Sequence, residues 1–290
     1  MANVYLSNNH CDLALTELTK VDPNFYNFYY YQALASAKAC KANYSVLNFI
    51  DEIDDFTTTS SFFNFLAGLA SSNETIPTSE NFNHLIDAIN SILFLKSVDK
   101  PKFSDRLTLI TNRSQAEELS LQALIMIFVY LGKWLNLYGD TNDNGLKGTN
   151  VLCLLAYSTE ASSFLNPAER ASLLGNAGTC LPASTASSPL LPFGSDSTRD
   201  SLCNFIVYFN HLRDLTSNIT LSSHSSMGEL SDAFTVMESY VISAEVAFPG
   251  ISSVLNFFNL TSCRNFYDSN NTAKKNIHAF MAGVIDKNFL

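Results

Sequence analysis

The residues with the clearest chemical pattern lie in the segment YGDTNDNGLKGTN, where Asp140, Asn142 and Asn144 occupy alternate positions before Gly145. Helix-loop-helix calcium proteins share the loop pattern D-x-[DN]-x-[DN]-G-x5-E, in which alternate side chains direct oxygen atoms at the ion. Every specified position matches here except the last, and the carbonyl oxygen of Leu146 would be the next ligand. The pattern therefore predicts calcium ligands at Asp140, Asn142, Asn144 and Leu146.

The last position of this pattern does not match, because Val151 stands where a bidentate glutamate should close the site. Asp140 is then the only formal charge at a ligand position, so we expect a weak site with a dissociation constant of about 10⁻⁴ to 10⁻³ M, as in extracellular modules. A second interpretation stays open, since Asp, Asn and Gly are favoured turn residues and the loop 140–151 can join two helices without an ion. Both interpretations predict a structural role.

No catalytic signature occurs elsewhere in the chain. H-E-x-x-H, G-x-S-x-G, P-loop and G-x-G-x-x-G patterns are missing, and no two histidines have the spacing of zinc ligands on a helix. His211 and Asp214 lie three residues apart, which permits an acid–base couple, although a surface histidine near a helix end is the commoner arrangement. The sequence leaves enzymatic activity open and favours a non-enzymatic protein.

Charge and hydropathy exclude two classes of function. The chain has 17 Lys and Arg against 27 Asp and Glu, a net charge of −10, whereas nucleic-acid binding depends on clustered cations. The longest apolar run, LQALIMIFVYLGKWLNL, is interrupted by Gly132 and Lys133. It is shorter than the roughly 18 uninterrupted apolar residues of a membrane span, so we predict a core helix and no transmembrane segment.

The cysteines bear on the compartment. Six are present, at positions too widely spaced for a C-x-x-C zinc or redox centre: Cys11, Cys40, Cys153, Cys180, Cys203 and Cys263. Either they are buried free thiols of a cytosolic protein, or they form three disulfides in an oxidising compartment, which the even count favours. Six cysteines allow fifteen pairings, and our working hypothesis joins neighbours along the chain, Cys11 with Cys40, Cys153 with Cys180, and Cys203 with Cys263.

The amino-terminal segment MANVYLSNNHC has no basic region and no apolar core, so the chain as written carries no signal peptide. With the disulfide interpretation, we expect a mature exported form, located in the periplasm, at the outer membrane or outside the cell. A lipoprotein trimmed just after its acylated cysteine would begin in this way. A lipid anchor is therefore compatible with the sequence.

The fold prediction is all-α, because apolar residues recur with helical periodicity along the chain and no convincing alternating run is longer than four residues. The segment 176–196, NAGTCLPASTASSPLLPFGSD, is rich in Pro and Ser and has no periodicity. We predict an amino-terminal helical half, 1–175, with the calcium-type loop at 140–151. The Pro/Ser-rich loop or linker and a carboxy-terminal half, 197–290, follow, with one continuous domain as the alternative.

The segment CDLALTELTKVDPNFYNFYYYQALASA, from Cys11 to Ala37, resembles the junction of two tetratricopeptide repeats. It has an amphipathic helix, an Asp-Pro stop and an aromatic helix with small residues, although Gln32 and Ala33 replace the Leu-Gly pair of the repeat. The resemblance implies stacked helical hairpins that bind proteins on a concave face. An irregular helical bundle is the alternative fold.

The chain is rich in aromatic residues, with 22 Phe and 12 Tyr, many of them in NFYNFYYY and VLNFFNLTSCRNFY. Such segments pack in a core or present a face to a partner, and both interpretations are open. We expect an exported or cell-envelope protein that acts by protein–protein interaction or as an assembly component. The alternative is a periplasmic ligand-binding or enzymatic protein with a pocket between its helical halves.

Overall fold

A computed structural model describes residues 1–22, 27–44, 62–69, 80–95, 102–138, 145–146, 165, 167–175, 196–219 and 225–287. Every regular element within these ranges is helical and none is a strand, which confirms the predicted all-α class. The choice between an irregular bundle and stacked hairpins stays a prediction.

The helices are short at the amino terminus and long in the middle of the chain. Two elements are not α-helices: a 3-10 helix (Ile251–Asn256) and a π-helix (Met281–Asp286). In chain order, the α-helices are α1 (Ala2–Ser7), α2 (Cys11–Leu18), α3 (Phe28–Lys41), α4 (Phe62–Leu69), α5 (Glu80–Leu93), α6 (Phe103–Leu109), α7 (Arg113–Tyr138), α8 (Pro167–Leu174), α9 (Asp196–Asn218), α10 (Ser225–Ala244), α11 (Leu260–Ser269) and α12 (Asn271–Phe280).

The chain divides into two compact units, each built from separate stretches of sequence. The first unit comprises residues 1–56, 72–130 and 214–222, and the second comprises residues 57–71, 131–213 and 223–290. The predicted division at 176–196 stays a prediction, because residues 176–195 lie outside the described part of the chain.

In the first unit, α3 packs against α5 through a small-residue surface. Ala35 and Ala39, about one helical turn apart, are buried on α3, and side chains of this size let two helix backbones approach closely. The Lys38 ammonium extends past them and donates hydrogen bonds to the Ser91 hydroxyl on α5, at 2.8 Å, and to the Asp87 carbonyl, at 3.3 Å. The amphipathic α2 packs on the same helix, with α1 beside both.

The core of the second unit is aromatic. The Phe209 ring on α9 lies 5.5 to 6.4 Å, between ring centroids, from four other phenylalanine rings, those of Phe63, Phe205, Phe234 and Phe280. Trp134, the only tryptophan in the chain, packs 4.4 Å from the Phe205 ring and donates a 2.8 Å hydrogen bond from Nε1 to the Ser201 hydroxyl. This bond satisfies the indole N–H inside the core.

Two disulfides are present, and they confirm two of the predicted neighbour pairings. Cys11 is bonded to Cys40 and Cys203 to Cys263, with a Cα–Cα distance of 5.6 Å in each pair. Cys153 and Cys180 lie outside the described residues, so the third pairing stays a prediction.

The longest described helix, α7, has 26 residues and contains the whole of the predicted core run. By length and composition it is the one helix among the described residues that could cross a membrane, with a mean hydropathy of 1.4 in its most apolar window. Within the protein, 72% of that window is buried. The side chains of Ala123, Ile127 and Leu131 are completely buried, as in the core helix predicted from the sequence.

Candidate functional site

The predicted calcium loop is described only at its turn. Asp140, Asn142 and Asn144 lie outside the described residues. Gly145 has a φ of +72°, the left-handed conformation that position six of the loop pattern requires, and an ion-free turn requires it equally. The Leu146 side chain is 47% exposed.

Close packing also requires glycine at position 145. A Cβ atom there would overlap the backbone carbonyl of Asn64 and lie 2.6 Å from the backbone nitrogen of Gly68, both on α4. Among the described residues, no three His, Cys, Asp or Glu side chains are grouped to hold a metal ion. Calcium therefore stays a prediction.

The sequence prediction that His211 lies on the surface is wrong. His211 is completely buried, and its Nε2 donates a 3.0 Å hydrogen bond to the Phe258 carbonyl. This bond fixes the proton on Nε2, because a carbonyl oxygen can only accept. Asp214, three residues away, accepts a 2.7 Å hydrogen bond from the Phe103 backbone N–H at the start of α6. The two side chains therefore serve different partners instead of forming an acid–base couple.

Asp214 is part of a buried ion pair in the first unit. Its Oδ2 lies 3.9 Å from Nη2 of Arg106, a side chain that is 1% exposed and also donates from Nε to the Ser120 hydroxyl at 3.3 Å. Burial raises the pKa of Asp214, although the Phe103 N–H and Arg106 act in the opposite direction. Burial lowers the pKa of Arg106 to about 10, so the guanidinium stays charged at neutral pH. Removing either partner would leave a buried charge without compensation.

The best-defined polar site in the second unit surrounds the irregular segment from Pro249 to Phe258. Four side chains on α9 and α12 donate hydrogen bonds to its backbone carbonyls, and we call them the carbonyl clamp: Asn210, His211, Arg213 and Asn276. Asn210 Nδ2 donates to the Val254 carbonyl at 2.8 Å and to the Phe257 carbonyl at 3.0 Å. Arg213 donates to the Leu255 carbonyl at 3.2 Å, and Asn276 to the Pro249 carbonyl at 2.9 Å.

The start of this segment is fixed by a carboxylate. Glu245 accepts hydrogen bonds from the backbone N–H groups of Gly250, at 2.6 Å, and Ser252, at 3.0 Å, and these bonds lower its pKa. Gly250 has a φ of +90°, and a Cβ there would lie 3.2 Å from Nδ2 of Asn276. The positive φ therefore requires glycine at position 250, and the nearby Asn276 side chain leaves little room for a Cβ atom.

The carbonyl clamp has a structural role. Its nitrogen atoms donate hydrogen bonds to backbone carbonyls that do not belong to an α-helix. A buried backbone carbonyl without a hydrogen-bond donor is costly. Asn210 and His211 are completely buried, and Asn276 is 3% exposed. These donors hold the segment in place.

A charged network lies beside the Cys203–Cys263 disulfide. Asp200 on α9 accepts bidentate hydrogen bonds from Arg264 on α11, at 2.7 and 2.6 Å, and one from Arg199 at 3.1 Å. Arg199 also donates to Asp268 at 2.8 Å. Burial acts to raise the pKa of Asp200, but the hydrogen bonds from Arg264 and Arg199 outweigh it and hold this pKa below its usual value. The network connects the same two helices as the disulfide.

His278 on α12 is a buried titratable residue in the same unit. Its side chain is 1% exposed, and the centroid of its ring lies 6.1 Å from that of Tyr267. Burial lowers the pKa of His278 to about 3, and the nearby Lys274 charge acts in the same direction. The imidazole is therefore neutral at physiological pH, which suits a buried position.

Half of the described aromatic side chains in the two aromatic segments are buried, and three more, Tyr30, Phe258 and Phe266, are half-buried. Phe28, Tyr31, Phe257 and Tyr267 are buried, so the core interpretation holds for them. Tyr29 is the exception, with 67% of its surface exposed.

An exposed surface without charge lies on α10 and the turn that follows it. We call it the α10 face and define it by Val236, Ser239, Ile242, Ser243 and Val246. The exposed fractions of its aliphatic side chains are 48% at Val236, 67% at Ile242 and 92% at Val246. The charged residues between positions 234 and 247, Glu238 and Glu245, lie at the edge of this face, where the 42% exposed Glu238 side chain pairs with Arg213 and Glu245 accepts from the Gly250 N–H. The opposite side of the helix is buried in the second unit.

The serine hydroxyls of the α10 face are already paired within the helix. Ser239 Oγ donates to the Val236 carbonyl at 2.6 Å, and Ser243 Oγ donates to the Tyr240 carbonyl at 2.8 Å. Covering these hydroxyls would therefore not cost a hydrogen bond. The face presents methyl groups and internally satisfied polar atoms.

The sequence prediction did not identify the α10 face, although the signal was present. A helix was predicted for this segment, and its uncharged residues recur three and four positions apart from Val236 to Val246. The carbonyl clamp had no such signal, because its partners are backbone atoms more than 25 positions away in the sequence.

The geometry of these sites is the main evidence on function. Compared with known protein families, with curated proteins and with solved structures, the chain shows no significant match.

Proposed function

We propose that this chain is a non-enzymatic, exported helical protein that acts as an assembly component by binding a partner protein through the α10 face. The observation that carries the proposal is the grouping of three exposed aliphatic side chains, Val236, Ile242 and Val246, on one surface of α10 and the turn after it. Exposed aliphatic side chains grouped on one surface are typical of interaction sites, whereas isolated ones need no explanation.

The chemistry of the α10 face defines the partner. A charged surface would lose its hydration against this face and gain no counter-charge, so we expect an uncharged aliphatic surface on the partner. The face runs about 15 Å along the helix axis, from Val236 to Val246, a length that fits the apolar stripe of one partner helix. Because the serine hydroxyls are internally bonded, the partner does not need matching polar groups.

The compartment in this proposal is supported by the Cys11–Cys40 and Cys203–Cys263 disulfides, since disulfides persist in oxidising environments. The test is alkylation of the denatured, unreduced protein from its native cells, followed by peptide mass spectrometry. These four cysteines should be protected from the reagent. Labelling of all six cysteines would contradict export.

Partner binding is tested by site-specific photo-crosslinking in the native cells. A photoreactive residue at Ile242 should give a discrete crosslinked product, and the same residue at the exposed Asn265 on α11 should not. Ile242→Glu should abolish association with the crosslinked protein, while Asn265→Glu, which changes the net charge equally, should retain it. Circular dichroism would confirm that both variants fold.

The result that contradicts the proposal is equal behaviour of the two positions. If Ile242 and Asn265 give the same products, or if Ile242→Glu associates as well as Asn265→Glu, the α10 face is not the binding surface. Sedimentation equilibrium of the purified chain would identify the partner as a second copy if Ile242→Glu converts a dimer to a monomer.

A further inference from the structure

We propose that the Cys11–Cys40 disulfide is a redox switch that controls the packing of α1 and α2 on α3, whereas Cys203–Cys263 is inert. The first observation is a difference in access. Cys11 and Cys40 are both partly exposed, but Cys203 and Cys263 are completely buried. Thiol–disulfide exchange requires a thiolate to reach a sulfur atom, so access decides which disulfide reacts.

The helices that this disulfide holds bury few side chains completely. α1 has six residues and none of them is buried, and α2 has eight residues and buries only Ala14 and Leu18. These two side chains and Ala37 of α3 form a small apolar cluster. Helices shorter than about 12 residues are not stable by themselves in water, so α1 and α2 depend on their attachment to α3.

In the described residues, an ion pair also joins α2 to α3, and it is weak. The Asp12 carboxylate, next to Cys11, lies 2.9 Å from the ammonium of Lys41, next to Cys40, and the Asp12 side chain is 81% exposed. Exposed ion pairs contribute little to stability. The disulfide, which closes a sequence separation of 29 residues, is therefore the main restraint on α2.

Reduction needs a dithiol as the electron donor. One thiolate of the dithiol attacks a sulfur of the Cys11–Cys40 bond, which breaks to give a mixed disulfide and one cysteine thiolate. The second thiolate of the dithiol then attacks its own bound sulfur and releases the other cysteine. The dithiol leaves as a disulfide, and both cysteines end as thiols after proton uptake, so that two electrons have entered the protein.

Release of α1 and α2 would change the surface of the first unit. The half-buried side chains that pack against the small cluster on α3, Tyr30, Ala33 and Leu34, would become exposed. The rest of α3 would keep its place, because Ala35 and Ala39 remain buried where α3 packs against α5. Reduction would therefore expose a new apolar surface on a helix that stays folded.

The test is graded reduction of the full chain with dithiothreitol, followed by alkylation and peptide mass spectrometry. At partial reduction, labelling of Cys11 and Cys40 should exceed labelling of Cys203 and Cys263 by about 10-fold or more. Under the same conditions, hydrogen exchange of the amides in 2–18 should accelerate by about 10-fold or more, and exchange in 260–280 should not change.

Matched variants separate the two disulfides. Cys11→Ser with Cys40→Ser should reproduce the faster exchange of 2–18 without reductant, and Cys203→Ser with Cys263→Ser should leave that exchange as in the native chain. Two results would overturn the proposal. One is equal labelling of all four cysteines at partial reduction, and the other is reduction of Cys11 and Cys40 with no change in the hydrogen exchange of the amides in 2–18. If a serine variant does not fold, the graded reduction of the native chain decides the question alone.

Discussion

The two described disulfides have the same Cα–Cα distance, 5.6 Å, but they lie in different surroundings. Cys11–Cys40 is partly exposed and joins α2 to α3 over a cluster of three buried side chains, Ala14, Leu18 and Ala37. Cys203–Cys263 is completely buried beside an ion-pair network, in the unit that contains the aromatic core. In the first region the disulfide holds helices that share only a small apolar cluster. In the second it reinforces helices that are already packed in a large core.

The largest expected difference between the regions is in core truncation. Phe209→Ala should lower the free energy of unfolding by about 3–5 kcal/mol, because the ring packs against four other phenylalanines. Urea denaturation followed by the fluorescence of Trp134 measures this loss. Leu18→Ala is the matched change in the small cluster. We expect it to accelerate hydrogen exchange in α1 and α2 and to leave the Trp134 transition almost unchanged.

Removing the buried disulfide should have the next largest effect. Cys203→Ala with Cys263→Ala should lower the free energy of unfolding by about 2–5 kcal/mol, since the bond restricts the unfolded chain and the side chains fill space in the native one. The Trp134 transition again gives the value. An unchanged transition would mean that the surrounding core makes the bond redundant.

Acid should destabilise the second region through His278. Its pKa is about 6.5 in the unfolded chain and about 3 in the folded one, so the unfolded chain binds an additional proton as the pH falls from 6.5 towards 3. Stability is therefore lost over that range, by about 2 kcal/mol between pH 7 and pH 5.

The measurement for His278 is the difference in unfolding free energy between the native chain and His278→Gln at several pH values. The difference should become smaller as the pH falls, because the variant lacks the titrating group. His10→Gln, a change of an exposed histidine near the Cys11–Cys40 disulfide, is the control. A constant difference between pH 7 and pH 5 would show that His278 does not titrate in this way.

A smaller loss is expected at the carbonyl clamp. Asn276→Ala removes the donor to the Pro249 carbonyl and should cost roughly 1–2 kcal/mol, because the buried carbonyl loses its partner. Asn265→Ala on the exposed side of α11 should change stability by less than about 0.5 kcal/mol. Equal effects of the two changes would indicate that water replaces the missing donor.

The smallest expected effect is that of calcium, which we propose binds at Asp140, Asn142, Asn144 and the Leu146 carbonyl. At 10 mM calcium and a dissociation constant of about 1 mM, stability should rise by about 1.4 kcal/mol. Calorimetry should detect heat of binding that Asp140→Ala removes and that magnesium does not reproduce. No heat and no change in melting temperature would leave the loop as an ion-free turn.

The sequence predicted those parts of the fold that depend on local pattern. The amphipathic segments around Leu13 to Leu18 and the apolar run of α7 have helical periodicity, and the structure contains both helices. Neighbour pairing of Cys11 with Cys40 and of Cys203 with Cys263 was also correct, because short chain separations bring cysteines together most easily.

Features that depend on tertiary contacts were not predicted. The α6 helix, which begins at Phe103, has only seven residues, too few to show a periodic pattern in the sequence. The N–H of Phe103 donates its hydrogen bond to Asp214 on α9, which is a tertiary contact. The Ile251–Asn256 segment forms a 3-10 helix, and the donors that hold the chain around it come from α9 and α12. His211 was assigned to the surface because its buried partner, the Phe258 carbonyl, leaves no trace in the sequence.

The carbonyl clamp also bears on proteolysis. Irregular surface segments are usually where proteases cut, since cleavage requires the backbone to leave its native position. The segment from Pro249 to Phe258 is irregular, yet its carbonyls at five positions and two of its N–H groups are bonded to side chains. A protease would have to break several of these bonds together. Limited digestion should therefore spare this segment and cut first near α1 and α2 once Cys11–Cys40 is reduced.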